Sequence, residues 1–123
     1  RLAASPEEAE RVRDTARAKP LRAPYVIAVA AEPDPALPLI EEIAATAAAA
    51  QNMLLAAHAL GLGAMWRTGE LAFTPEVHAF LRLSDRGRVL GFLYVGYPAM
   101  EPPARQRRPL DEVVAWWDRR PAE

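Results

Sequence analysis

The chain has 123 residues, 51% of them apolar and 25% charged, the proportions of an ordinary globular protein and not of a disordered or fibrous one. A formal net charge of -1 lacks the basic excess that holds a phosphate backbone, so nucleic acid is not an expected partner. The absence of cysteine excludes disulfides, thiolate metal sites, iron–sulfur ligation and a cysteine nucleophile, and any redox work would need a bound cofactor.

The length suits a single domain over residues 1–123, with residues 101–123 forming an extended C-terminal arm. No signal-like stretch and no apolar run long enough to span a bilayer is present, so no membrane partner is expected and the cytoplasm is the expected compartment. The first residue is Arg1 and the opening reads as the middle of a protein, so the chain is expected to be a C-terminal portion with an N-terminal part missing. Fourteen of the fifteen basic residues are arginine, and alanine is abundant, a compositional bias under which alanine runs and single arginines carry little weight.

In chain order, Ser5-Pro6-Glu7-Glu8 opens a helix: a hydroxyl to cap free N–H groups, proline in the first turn, then carboxylates at the positive end of the dipole. This helix should run to about Ala18 and lie on the surface, with Val12 and a few alanines as its apolar side. Tyr25-Val26-Ile27-Ala28-Val29-Ala30-Ala31 is a continuous apolar run, rich in β-branched residues and bounded by proline, and predicts a buried strand. A stiff loop over Glu32-Pro33-Asp34-Pro35 and Pro38 precedes the main helix, which continues to Leu60. Ile40, Ile43, Ala47, Ala50 or Gln51, Leu54 and Ala57 share one side of it, and Met53, Leu55 and Leu60 widen the apolar face. A helix apolar nearly all round belongs in a core or an interface. The small residues from Ala44 to Ala50 would let a second helix approach closely, or reflect only the helix preference of alanine.

Gly61 stands where a C-terminal cap belongs, Gly63 follows in the turn, and Ala64-Met65-Trp66 can form a short strand. Thr74-Pro75-Glu76 opens a further helix carrying Val77, Phe80 and Leu81, and Ser84-Asp85-Arg86-Gly87 supplies a turn. Arg88 to Gly96 reads as a central strand whose glycines let other backbone approach. The tail combines the basic stretch Arg105-Gln106-Arg107-Arg108 with the apolar Val113, Val114, Trp116 and Trp117, which need a surface to dock on. His58 and His78, twenty positions apart on different helices, have no metal spacing; His58 should be packed and His78 exposed. Glu41 and Glu42 diverge on their helix and are assigned no catalysis.

The succession of buried strand, long helix, Gly61-x-Gly63 turn, Trp66-Arg67-Thr68-Gly69, short helix and Val89-Leu90-Gly91-Phe92-Leu93-Tyr94-Val95-Gly96 resembles the nitroreductase superfamily. The likeness is to its small NAD(P)H nitroreductase type, with Arg22-Ala23-Pro24 before the first strand. It covers nearly the whole chain and rests on several motifs in order, each weak alone. It implies an α+β fold, a three-layer sandwich with a central mixed or antiparallel sheet and a long helix buried in a dimer interface. It further implies a homodimer with FMN between its subunits and C-terminal arms reaching over the partner. The implied activity is electron transfer from NADH or NADPH to nitroaromatic, quinone-like or related acceptors by a ping-pong mechanism.

By the same resemblance Trp66, Arg67, Thr68 and Gly69 form an FMN-contacting segment, and Arg105 and Arg107, with Arg108 as a substitute for either, approach the FMN phosphate. Read without the family, Trp66 is core, Arg67 an ion-pair partner, Thr68-Gly69 a turn, and the arginines a solvated linker. The superfamily's N-terminal arginine-rich flavin motif is absent before Ser5. Two other functions stay open: a truncated, non-catalytic dimerising relative, and another flavin reaction on the same scaffold, such as reductive dehalogenation or dehydrogenation of a small substrate.

Overall fold

The computed structural model describes residues 5–101, 103, 104 and 106–117. Helix α1 (Pro6–Ala18) opens as its sequence dictates: the Glu8 N–H donates to Ser5 Oγ at 3.1 Å, leaving one fewer unpaired donor in the first turn. A short 3-10 helix over Lys19–Arg22 carries the chain to strand β1 (Tyr25–Ala31). Helix α2 (Leu39–Ala59), strand β2 (Gly63–Arg67), a 3-10 helix over Glu70–Phe73, helix α3 (Pro75–Phe80) and strand β3 (Arg88–Gly96) follow.

β3 lies at the centre of a three-stranded sheet of order β1-β3-β2, antiparallel to both neighbours. Tyr25 pairs with Val95 and Gly63 with Gly96, so both edge strands are registered from the same end of β3. The β1 register shifts between Val29 and Ala30: Val29 faces Gly91, Ala30 faces Val89, and Leu90 is left without an opposite residue. This is a β-bulge, which bends the strand locally and re-aims the side chains beside it.

Helix α2 covers one face of the sheet. Ala50, fully buried, meets Val29 and Leu93, and Leu54, Trp66, Leu90 and Val95 close around them. Alternation along β3 accounts for Leu93 and Val95, which point to the helix while Phe92 and Tyr94 point away; Leu90, of the same parity as Phe92, joins the cluster because the bulge shifts the alternation there. The helix ends in a Schellman arrangement: Gly61 N–H donates to the His58 carbonyl at 3.0 Å and Leu62 N–H to that of Ala57 at 2.9 Å, with Gly61 at φ 74°. Helix α3 closes the same way, with Arg82 at φ 55° in the glycine-favoured position.

Several sequence expectations change. β1 is buried only over its second half, because it is an edge strand and the helix leaving its end heads for β2; Tyr25 is 70% exposed. Ile40 is 71% exposed, sitting in the first turn of α2 away from the packed Ala50. His58 is exposed and His78 half-buried, the reverse of the expectation: His58 is off the Ala50–Ala57 side of α2, whereas His78 lies close enough to Glu32 for their charges to interact. The outer side of α2, including Ala45, Ala48, Asn52, Leu55 and Ala59, is uncovered in the single chain. On the arm, Leu110–Glu112 forms a 3-10 turn, Val114 is half-buried and Trp117 is 96% exposed.

A groove bordered by Arg67, Thr68 and Gly69

The face of the sheet opposite α2 forms the floor of a groove of about 730 Å³. Val26 and Ala28 of β1 and Phe92 and Tyr94 of β3 make that floor. Its wall begins where β2 ends, with Arg67, Thr68 and Gly69, and continues through the Glu70–Phe73 turn to Val77, Phe80 and Leu81. Arg22 borders the groove from the approach to β1. The volume falls within the range of pockets that bind cofactors and drug-sized ligands, and the mostly apolar lining with a few polar groups is the usual composition of such pockets.

The wall is held by local chemistry. Thr74 caps α3, its hydroxyl accepting from the Val77 N–H at 3.4 Å and donating to the Leu71 carbonyl at 3.2 Å, while Pro75 presets the first turn. The Ala72 N–H donates to the Gly69 carbonyl at 2.9 Å, which folds the chain back immediately after the Arg67–Gly69 corner. Glu32, just past β1, accepts the Ser84 N–H with both carboxylate oxygens at 3.2 and 3.1 Å. Hydrogen bonding from the Ser84 side chain, then from its N–H, holds the Glu32 carboxyl below its ordinary pKa of 4.5, and the nearby His78 acts in the same direction. This clamp ties the loop between α3 and β3 to the sheet.

Arg67 is exposed, and its guanidinium makes one weak contact, Nη1 to Met65 Sδ at 3.6 Å. Among the described residues the only ion pair joins Arg17 to Asp14 at 3.9 Å, so Arg67 and Arg22 both bring positive charge to the groove without a carboxylate partner. Such a guanidinium offers fixed donors to an anion or an electron-rich ring. The alternative of Arg67 as an intrachain ion-pair partner thus finds no support among these residues. No group of His, Asp and Glu among the described residues could hold a metal ion.

The residues picked out in the sequence separate. Arg67, Thr68 and Gly69 come together on the groove. Trp66 belongs to the other face: its indole packs against the Val29–Ala50–Leu93 cluster and donates through Nε1 to the Leu90 carbonyl at 3.0 Å. Arg107 is exposed on the arm and does not border the groove; Arg105 lies outside the described residues. Phe92, Tyr94 and Arg22 were missed as site residues. The signal for the first two was their alternation with Leu93 along β3; nothing local distinguished Arg22.

Comparison with known proteins agrees with the fold. The profile of the Nitroreductase family matches residues 2–97. "Putative NAD(P)H nitroreductase YdjA" of Escherichia coli K12 is 36% identical over 90 residues, which are 72% of this chain and 49% of that protein. "Putative NAD(P)H nitroreductase YfhC" of Bacillus subtilis 168 is 33% identical over 70 residues, 57% of this chain and 36% of its own. The chain therefore spans about half the length, or less, of these curated relatives. The crystal structure of a nitroreductase-like family protein from Bacillus cereus superposes on 94% of this chain and 63% of its own, with a TM-score of 0.78 and 29% identity.

Proposed function

Because the chain belongs to the Nitroreductase family, we propose that it forms part of an FMN-dependent oxidoreductase that works as a homodimer in the cytoplasm. The observation that carries the reading is the Arg67-Thr68-Gly69 corner, where an unpaired guanidinium and a hydroxyl border an apolar, aromatic-floored groove large enough for a planar cofactor. When bound, FMN would supply the redox chemistry, hydride acceptance from NADH or NADPH and electron delivery to a nitroaromatic, quinone-like or related acceptor in ping-pong order.

The chain's own residues bind and orient. Arg67 donates to an anionic or electron-rich part of the cofactor, and Thr68 adds a hydroxyl and an N–H that carry no hydrogen bond to a described residue. Gly69, with no side chain, lets the cofactor lie close to backbone. Val26, Ala28, Phe92 and Tyr94 exclude water from the ring, which strengthens the polar contacts at its edge. Arg107, and Arg105 two residues before it, are assigned to the cofactor phosphate on the family resemblance alone.

Exposed apolar residues on α2, Leu55 and Leu60 among them, and Trp117 on the arm fit a face that is covered in the assembled protein, which is compatible with the dimer. No helix among the described residues is long and apolar enough to cross a membrane.

The test is steady-state kinetics of the protein expressed from its complete reading frame, with NAD(P)H and a nitroaromatic acceptor varied together. Parallel double-reciprocal lines and a large loss of kcat/KM in Arg67→Ala support the proposal. Intersecting lines contradict the ping-pong order, and an unchanged Arg67→Ala contradicts the site.

A further inference from the structure

Trp66 and Arg67 are adjacent on β2 and point to opposite faces, yet they are tied together through β3. Leu90 has no opposite residue in β1, and the last β2 pair joins Arg67 to Phe92, so the Leu90 carbonyl lies past the end of β2. The Trp66 indole fills that position, donating to this carbonyl at 3.0 Å. Between the two lies Gly91, buried, at φ 136°. A Cβ there would stand 2.6 Å from the Arg67 carbonyl oxygen, 2.6 Å from Trp66 Nε1 and 3.1 Å from Thr68 Cγ2. Backbone conformation and space both demand glycine at this position.

We propose that the Trp66–Leu90 hydrogen bond, closed over Gly91, is a positioning device that fixes the direction in which Arg67, Thr68 and Gly69 leave the sheet, with Trp66 acting through the backbone and not by touching the cofactor. The Arg67 carbonyl abuts Gly91, and in a trans peptide the following N–H points the opposite way. The Thr68 N–H is thereby turned away from β3. Loss of the indole donor leaves the Leu90 carbonyl unpaired and frees the Arg67–Thr68 peptide to rotate. A side chain at position 91 pushes the same peptide directly. Trp66 and Gly91 are thus positioning residues for the flavin corner, an inference that rests on the flavin reading above.

The test compares Trp66→Phe, which keeps a packed aromatic ring but removes the donor, with Leu54→Ala, which weakens the same core from α2 without touching the bond. Both variants and the wild type are made from the complete reading frame. FMN affinity is read by titration well below each protein's Tm, together with the visible spectrum of the bound flavin. Trp66→Phe should bind FMN roughly 3- to 10-fold more weakly, the scale of one hydrogen bond, with shifted flavin bands. Leu54→Ala should lower Tm at least as far and leave affinity and spectrum unchanged. Gly91→Ala should exceed Trp66→Phe in its effect on affinity. Wild-type affinity and spectrum in Trp66→Phe, or an equal loss in Leu54→Ala, would overturn the proposal. A wild type that binds no FMN removes the flavin reading itself and this inference with it, an outcome distinct from a failure confined to Trp66→Phe.

Discussion

Leu93→Ala and Tyr94→Ala alter neighbouring residues of β3 that point to opposite faces of the sheet, and they should fail in different ways. Leu93 is 1% exposed at the contact between the sheet and α2. Its truncation removes three carbons, about 2.4 kcal/mol of transfer free energy at 0.8 kcal/mol each. The cavity left against Val29 and Ala50 adds to this, for a total of roughly 3–5 kcal/mol. With an m-value of about 1–3 kcal/mol/M, the urea midpoint should fall by at least about 1 M. Tyr94 is half-buried on the groove floor and leaves no closed cavity, so its loss should cost about 1–2 kcal/mol while weakening ligand binding several-fold. Urea unfolding followed by circular dichroism gives the first quantity and flavin titration the second. A Leu93→Ala loss below about 1 kcal/mol, or a larger stability loss for Tyr94→Ala, would refute the assignment of core and groove to the two faces.

Arg67→Ala should weaken FMN binding by roughly 10- to 100-fold, the range for a hydrogen bond from a charged group, yet leave Tm nearly unchanged because the guanidinium has no carboxylate partner among the described residues. Glu32 has a folded-state pKa below its ordinary 4.5, so its contribution to stability is present above that value and is lost as pH falls through the lowered one. Thermal melts of wild type and Glu32→Gln should therefore differ at neutral pH and converge in acid; a gap that stays constant down to pH about 2 would contradict the Ser84 clamp. Arg82 occupies the left-handed position that ends α3, so Arg82→Gly should stabilise by about 0.5–1 kcal/mol in urea unfolding, and a destabilisation would show that the αL strain is offset elsewhere.

The elements were legible because each carried its own punctuation. Prolines and β-branched residues bounded β1 at Tyr25–Ala31, Gly61 marked the Schellman turn after α2, and Thr74-Pro75 capped α3. Arg67, Thr68 and Gly69 could be singled out as a candidate site only through a resemblance, since nothing in their own chemistry separates a cofactor corner from a turn. What stayed hidden depends on long-range geometry. The Leu90 bulge and its bond to Trp66 join residues twenty-four positions apart, and no local pattern announces which carbonyl an indole will find. Glu32 and Ser84 are separated by fifty-two positions. Burial was over-predicted for β1, Ile40 and His58, because apolar content says that a face will be covered without saying whether this chain or a partner covers it.

The central claim is that the corner after β2 holds the flavin, and equilibrium titration of FMN into the protein expressed from its complete reading frame tests it most directly. Quenching of flavin fluorescence should saturate for the wild type and weaken markedly for Arg67→Ala, with the two proteins melting together. Binding of equal strength in Arg67→Ala, or none in either protein, would contradict the account.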